Sequence, residues 1–268
     1  MARAESTTSS IYIASPERDT GRSTITLGVL HLVAASAARV GIFRPVAHST
    51  DQPDPILELI LEHTTANLGY DQSVGVTYAR VRENPEAALS EIVARYHEVQ
   101  RECDAVVIIG SDYTDVVSPS ELTFNARIAV NLGAPVLLAI NAHGRTAEEV
   151  GQLAKVCLSE LSAAHAHTVA IIANRCDPQQ LGEVRDALAQ MQVPGWALPE
   201  VSLLVAPTMA ELLDALDGQL YSGDRELLRR EAMDVLVGGM TAEHILERLT
   251  EGQVVIVPPD RSMCCWPW

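Results

Sequence analysis

At 268 residues, 47% hydrophobic and with a formal net charge of −16, the chain suits one large domain, or one domain and part of another. The acidic balance excludes nucleic acid and anionic membranes as partners, because no basic face can dominate the surface. No apolar run approaches the ~18–20 residues that span a bilayer, and the five cysteines form no CxxC pair, which points to a reducing cytoplasm.

The opening MARAESTTSS has no apolar stretch of the secretory kind, and residues 1–9 read as a disordered lead. Ile11–Ile13 is a first strand. The loop ASPERDTGRST, residues 14–24, follows, and a helix over 21–38 repeats Leu27, Leu30 and Val33 on one face. Strand, tight loop and helix start form a phosphate cradle, in which backbone N–H groups and the positive helix end bind anions. Thr20-Gly21-Arg22-Ser23-Thr24 fits the second half of G-x-x-x-x-G-K-[ST], with Arg22 where Lys belongs. Ala14 and Ser15 stand where the first Gly belongs. Ser is small enough for a wider loop. Arg is longer and forked, and does not fit the slot of a Lys. Lys155 is the only lysine of the chain, so Arg22 reflects either a general exchange of Lys for Arg or selection against catalysis. The segment is a nucleotide site or a strand–turn–helix that only packs.

Val40–Phe43 is a second strand, closed by Arg44-Pro45. A helix over 55–67 starts at Pro55, with Ile56, Leu59 and Ile60 on its buried face. Ser73–Tyr78 is a short edge strand, and Pro85 opens a helix that carries Leu89, Ile92, Val93 and Tyr96. Asp104–Gly110 is an unbroken β-branched run, the mark of a strand buried on both faces. Further along come a helix from about Pro119 to Leu132, a strand over Pro135–Ile140, a helix over 146–164 and a strand over Thr168–Ala173. The second of these helices turns Val150, Leu153, Val156, Cys157 and Leu161 inward. A helix over 178–191 and a strand over Trp196–Leu198 complete the series. This alternation predicts an α/β fold, a parallel sheet covered by helices, of P-loop NTPase type, over residues 10–205. Cys103 and Cys157 fall in apolar patterns and read as buried. His165 and His167 are surface residues or a weak chelating pair.

From Pro207 the pattern changes. A short helix spans 208–216, Ala232–Val237 is a strand, Thr241 caps a helix to Leu249, and Gln253–Val257 is another strand. Residues 208–262 read as a second, partial α/β domain whose strands lack partners, an arrangement that invites association. The tail 263–268, MCCWPW, fits nothing before it.

Three strand ends flank the phosphate loop. Arg44, after the second strand, reaches phosphate or is a solvated loop residue. Asp112, just past the 104–110 run, orders a Mg²⁺-bound water or belongs to an Asx-rich turn. Asn174-Arg175-Cys176-Asp177, after the third buried strand, reads the edge of a nucleotide base or forms a strand-to-helix cap at Asp177-Pro178.

These residues carry a resemblance. IYIASPERDTGRSTITLGVL, VGIFRPV, ECDAVVIIGSDYTD, NLGAPVLL and ANRCD resemble the N-terminal domain of long-form bacterial phosphate acetyltransferases, which is similar in turn to dethiobiotin synthetase. DVLVGGMTAEHILERLTEGQVVIVPPDRS resembles the first half of their second domain, the DRTGG domain. The resemblance implies a cytoplasmic family that interconverts acetyl-CoA and phosphate with acetyl phosphate and CoA, through a catalytic domain lying after the DRTGG domain. It implies a regulatory and assembly role for this part, a small effector or a nucleotide such as ATP with Mg²⁺ as ligand, a homo-oligomer, and a truncated or fragmentary chain. On this resemblance Thr20, Gly21, Arg22, Ser23 and Thr24 would meet nucleotide phosphates, Arg44 would stand at the Lys of a Lys-Pro loop, and Asn174 would read adenine. The acid that dethiobiotin synthetases carry at the central strand end falls at Gly110, which leaves Ser23 and Asp112 as weak metal candidates and no catalytic residue. The rival reading is a self-sufficient ATP-dependent enzyme of dethiobiotin synthetase type.

Overall fold

The computed structural model describes residues 8–48, 53–111 and 121–258. The chain divides into two compact units, residues 1–200 and 201–268. In the first, seven strands make one parallel sheet: β1 (Ser9–Ala14), β2 (Val40–Ala47), β3 (Val74–Thr77), β4 (Ala105–Ile109), β5 (Val136–Asn141), β6 (Thr168–Cys176) and β7 (Gly195–Pro199). Their spatial order is β3-β2-β4-β1-β5-β6-β7. Every residue of β4 is buried, as its unbroken apolar run requires.

The first unit's helices are α1 (Arg22–Ala34), α2 (Pro55–Leu61), α3 (Tyr70–Ser73), α4 (Tyr78–Glu83), α5 (Pro85–Glu102), α6 (Glu121–Asn131), α7 (Ala147–Ala163) and α8 (Leu181–Ala189). Ile25 and Leu30 of α1, with Leu57 and Ile60 of α2, pack with Ile13, Ile42 and Ile109 of the sheet. Residues of α5, α6, α7 and α8 pack with Tyr12, Phe43 and Ile108, side chains that alternate with the first set along their strands. From β1 the chain passes through α1 to β2 on one side, and from β4 it crosses to β5 on the other. The carboxyl end of β1 is therefore a topological switch point, where open α/β sheets bind ligands.

The element boundaries correct several expectations. Helix α2 stops at Leu61, not at residue 67, because the Thr64 hydroxyl donates to the Leu61 carbonyl at 2.8 Å and the N–H groups of Thr65 and Ala66 turn to the Val40 carbonyl. Its buried face is Leu57 and Ile60, which pack in one cluster with Val40 and Ile42, so Ile60 is inward as expected whereas Ile56 and Leu59 are exposed. In α7 the inward row is Val150, Ala154, Cys157 and Leu161, and Val156 faces solvent. Helix α8 starts at Leu181, not at 178. The helices α3 and α4 were not anticipated. Strands β2 and β6 each run past their expected ends, to Ala47 and Cys176.

The second unit holds α9 (Met209–Ala215), β8 (Asp234–Val237), α10 (Ala242–Leu246) and β9 (Gln253–Ile256), with short 3₁₀ turns at Ser202–Leu204 and Arg225–Arg229. Thr208 and Glu211 form a capping box at the start of α9. Strands β8 and β9 pair in parallel. Among its described residues, Ala232 and Ile245 are the buried hydrophobics, while Val235, Val237, Leu246 and Ile256 are exposed. Among the described residues, no helix is long and apolar enough to cross a membrane.

Candidate functional site

The loop after β1 is shaped by its own side chains and by two neighbouring strand ends. Ser15, in place of the first glycine, is fully buried, and its hydroxyl donates to the Glu17 carbonyl at 3.0 Å. The same oxygen accepts from Arg22 Nη1 at 3.3 Å. Arg22 is therefore folded back into the loop, only 6% exposed. The two departures from the motif are coupled, since the residue replacing glycine supplies the hydroxyl that receives the residue replacing lysine.

Three ties fasten the loop from the β5 and β6 side. Arg145 binds the Glu17 carboxylate through both terminal nitrogens, at 2.5 and 2.8 Å, and also donates to the Asn141 carbonyl. Arg175 Nη1 donates to the Asp19 carbonyl at 3.0 Å, and Asn174 Nδ2 donates to the Thr20 carbonyl at 2.9 Å. Gly21 sits at φ 68°, where a Cβ would lie 2.3 Å from Asn174 Nδ2, so glycine is needed both for the turn and for that contact. Asp19 and Arg175 also take positive φ, 56° and 62°, unusual for residues with side chains. Arg175 is paired in turn with Glu200, at 2.8 Å from Nη2, and His143 Nδ1 lies 2.5 Å from the other Glu200 oxygen. Burial works to raise the Glu200 pKa. The bonds and charges of Arg175 and His143 overcome it, holding the carboxyl below its ordinary range.

Helix α1 begins directly after Gly21, with no acidic residue in its first turn and no side-chain cap. Its first N–H groups and the positive end of its dipole suit an anion. Ser23 is part-exposed and Thr24 exposed in that turn.

On the β4 side the loop meets a buried hydrogen-bond network centred on Asn125. The Tyr12 hydroxyl donates to Asn125 Oδ1 at 2.6 Å, and the Ser111 N–H donates to the same oxygen at 2.9 Å. Asn125 Nδ2 donates to the carbonyls of Ser111 and Glu121. The Ser111 hydroxyl bonds to the Glu121 carboxylate. Burial drives the Tyr12 pKa far up, the Arg22 charge opposes this and the Glu121 charge adds to it, so the phenol stays protonated. Gly110 lies at the centre of this packing. A Cβ there would meet Asn125 Oδ1 at 2.6 Å, the Ile13 carbonyl at 2.7 Å and Tyr12 Cε1 at 2.9 Å. The packing around Gly110 thus leaves no room for the acid that the sequence resemblance would have placed there. Asp112 lies outside the described residues. Among the described residues, no group of three or more His, Cys, Asp and Glu is arranged to hold a metal ion. His165 and His167 are both exposed.

Arg44 is not in a loop. It lies inside β2, 6% exposed, paired with Asp54, whose other oxygen caps α2. To reach a phosphate it would have to leave that part-buried carboxylate. Asn174 is likewise within a strand, not beyond it. The structure thus gathers Thr20, Gly21, Arg22, Ser23, Thr24 and Asn174 at one place and ties Arg44 to Asp54 instead. Sequence reasoning missed Glu17, Arg145 and Glu200. Charged residues at the ends of β1, β5 and β7 were their visible signal, but the pairing appears only when those ends meet.

A family model described as an AAA domain matches residues 9–208, and a DRTGG domain model matches residues 211–265. Over 94% of its length the chain is 27% identical to a phosphate acetyltransferase of Nitratidesulfovibrio vulgaris, and over 95% it is 28% identical to one of Synechocystis sp.. It spans 38% of the length of each of these relatives. An Archaeoglobus fulgidus nucleotide-binding protein in complex with ADP overlays with a TM-score of 0.43 at 14% identity, covering 76% of this chain and 86% of that one.

Proposed function

Because the chain belongs to the AAA domain family over residues 9–208 and carries a DRTGG domain after it, we propose that it serves a phosphate acetyltransferase as a nucleotide- or effector-binding regulatory and assembly region. The transfer itself, acetyl-CoA plus phosphate to acetyl phosphate plus CoA, is assigned to other parts of such a protein, and the region works in the cytoplasm as a homo-oligomer.

The observation that carries this reading is the inward-folded Arg22 on Ser15. An uncapped helix start and a loop held open by three outside ties can take a polyphosphate through backbone N–H groups. Turnover asks more, namely a cation moving with the charge that develops on the transferred group, and a metal fixed by an acid. Arg22 is engaged within the loop, and residue 110 has no room for a carboxylate. A Mg²⁺ arriving with nucleotide would find the Ser23 hydroxyl as its ligand on the loop, and would neutralise phosphate charge.

Calorimetric titration with Mg-nucleotide, followed by a hydrolysis assay, tests the proposal. Binding without turnover is expected. ATP turnover above background that disappears in Ser23→Ala would overturn it in favour of an ATP-dependent enzyme of dethiobiotin synthetase type.

A further inference from the structure

We propose that the nucleotide taken by this loop is a guanine nucleotide, with Asp177 reading the Watson–Crick edge of the base. This rests on the nucleotide reading above and deepens it by naming the ligand class.

The end of β6 is fixed against the phosphate loop by two successive side chains. Asn174 holds the Thr20 carbonyl, and Arg175 holds the Asp19 carbonyl next to it. Whatever follows on the chain is therefore kept at a set distance from a phosphate bound at the start of α1. Between Ala173 and Cys176, with Arg175 at φ 62°, the ladder to β7 shifts register; Cys176 then turns into the core and Asp177 emerges exposed. One Asp177 oxygen accepts the Gln179 N–H at 2.9 Å, which fixes the carboxylate at the strand end.

Through that bond Asp177 caps the turn that leads into α8 rather than the first residue of the helix itself. Helix α8 begins at Leu181 with Gln180 at its N-cap position. Asp177 does not serve as the partner of its neighbour Arg175, whose guanidinium is taken by Glu200 and the Asp19 carbonyl. An exposed carboxylate thus stands three residues beyond an amide that touches the phosphate loop.

The two groups differ in what they can read. An ionised Asp is acceptor-only, whereas an Asn amide both donates and accepts. Guanine presents two adjacent donors, its ring N1–H and exocyclic N2–H, which one carboxylate can accept side by side. Its O6 and N7 are acceptors that suit the second N–H of the Asn174 amide. Adenine presents an unprotonated ring nitrogen where guanine has N1–H and has no amino group at C2. Against Asp177 it would set acceptor against acceptor. A paired contact of this kind discriminates between bases by about 10–100-fold.

The test is competition of GDP, ADP and XDP (xanthosine diphosphate), each with Mg²⁺, against a fluorescent guanine nucleotide on the full chain and on Asp177→Asn. The parent is expected to bind GDP about 10–100-fold more tightly than ADP. Asp177→Asn replaces an acceptor with a donor, so it should lose that preference and gain affinity for XDP, whose C2 oxygen accepts. The gain for XDP cannot come from a misfolded variant. ADP binding as tightly as GDP, or a preference unchanged in Asp177→Asn, overturns the base assignment and leaves the nucleotide site standing. Binding of no nucleotide at all overturns both.

Discussion

Replacing Gly110 with alanine probes the packing that separates this site from a metal-assisted one. The added Cβ would lie 2.6 Å from Asn125 Oδ1, 2.7 Å from the Ile13 carbonyl and 2.9 Å from Tyr12 Cε1. None of these can retreat easily. The Ile13 carbonyl already accepts the Gly110 N–H at 2.9 Å within the central β1–β4 pair. Asn125 Oδ1 accepts from both Tyr12 and Ser111, and Tyr12 is fully buried. Overpacking of a core costs about 1–3 kcal/mol. Each displaced hydrogen bond adds about 1 kcal/mol. The sum is about 2–5 kcal/mol, and with a urea slope at the upper end of the usual range, about 3 kcal/mol/M for a unit of this size, the unfolding midpoint should fall by about 0.7–1.7 M. Urea unfolding of parent and Gly110→Ala, followed by circular dichroism, measures this. A midpoint within about 0.2 M of the parent would refute the reasoning. Gly110→Asp carries the same Cβ and should fail at the same contacts, so the missing acid cannot be restored by one substitution.

Other consequences are open to direct measurement. Glu200 has a folded pKa below its unfolded value, so its contribution to stability is full above the unfolded pKa, near 4.3, and is lost as pH falls through the folded one. Hydrogen-exchange protection in the phosphate loop, measured against the intrinsic rate at each pH, should therefore fall as the pH drops below that unfolded value, and Glu200→Gln should show the lower protection already at neutral pH. An unchanged loop in that variant would remove Glu200 from the anchorage. Burial pushes the Cys103 thiol up to about 11 and the Cys157 thiol up to about 12. Peptides carrying them should escape alkylation at pH 8 in the folded protein and react in urea, as mapped by mass spectrometry. The second unit, with its two-stranded sheet and, among the described residues, two buried hydrophobics, should be digested first under limited proteolysis, leaving a stable piece ending near Val205. Resistance through residue 258 would count against that.

What the sequence made legible follows the range of the interactions. Strand β4 could be read from Ala105–Ile109 alone, since a β-branched run buried on both faces needs no knowledge of its neighbours. The last residues of β2 could not. Arg44-Pro45 looks like a stop, and only pairing with Val74 and Val76 and the charge of Asp54 keeps it in the sheet. Past Phe43, β2 has β3 as its paired neighbour and no further β4 partner, which tolerates a residue without an N–H. Strand β6 hid in the same way, because Asn174 and Arg175 are held by a loop more than 150 positions earlier. The motif residues Thr20–Thr24 are contiguous and were visible. Gly110 was visible as a missing acid, but the cause, Tyr12 and Asn125 filling its side-chain space, lies on two other elements.

The two flanks of the phosphate loop differ in kind, and that difference sets how the site responds to conditions. On the β5–β6 flank the ties are charged and partly open to water: Arg145 and Glu17 are 31% and 30% exposed, Arg175 and Glu200 20% and 18%. On the β4 flank Tyr12, Ser111 and Asn125 are almost fully buried. At 1 M salt the screening length shrinks to about 3 Å, which weakens the exposed ion pairs and scarcely touches neutral bonds within the core. Salt should therefore speed hydrogen exchange at Glu17–Thr20 while leaving Ser111 protected. Equal acceleration at both would mean that the loop and the central strands open together, and that the charged ties do not act as a separate clamp.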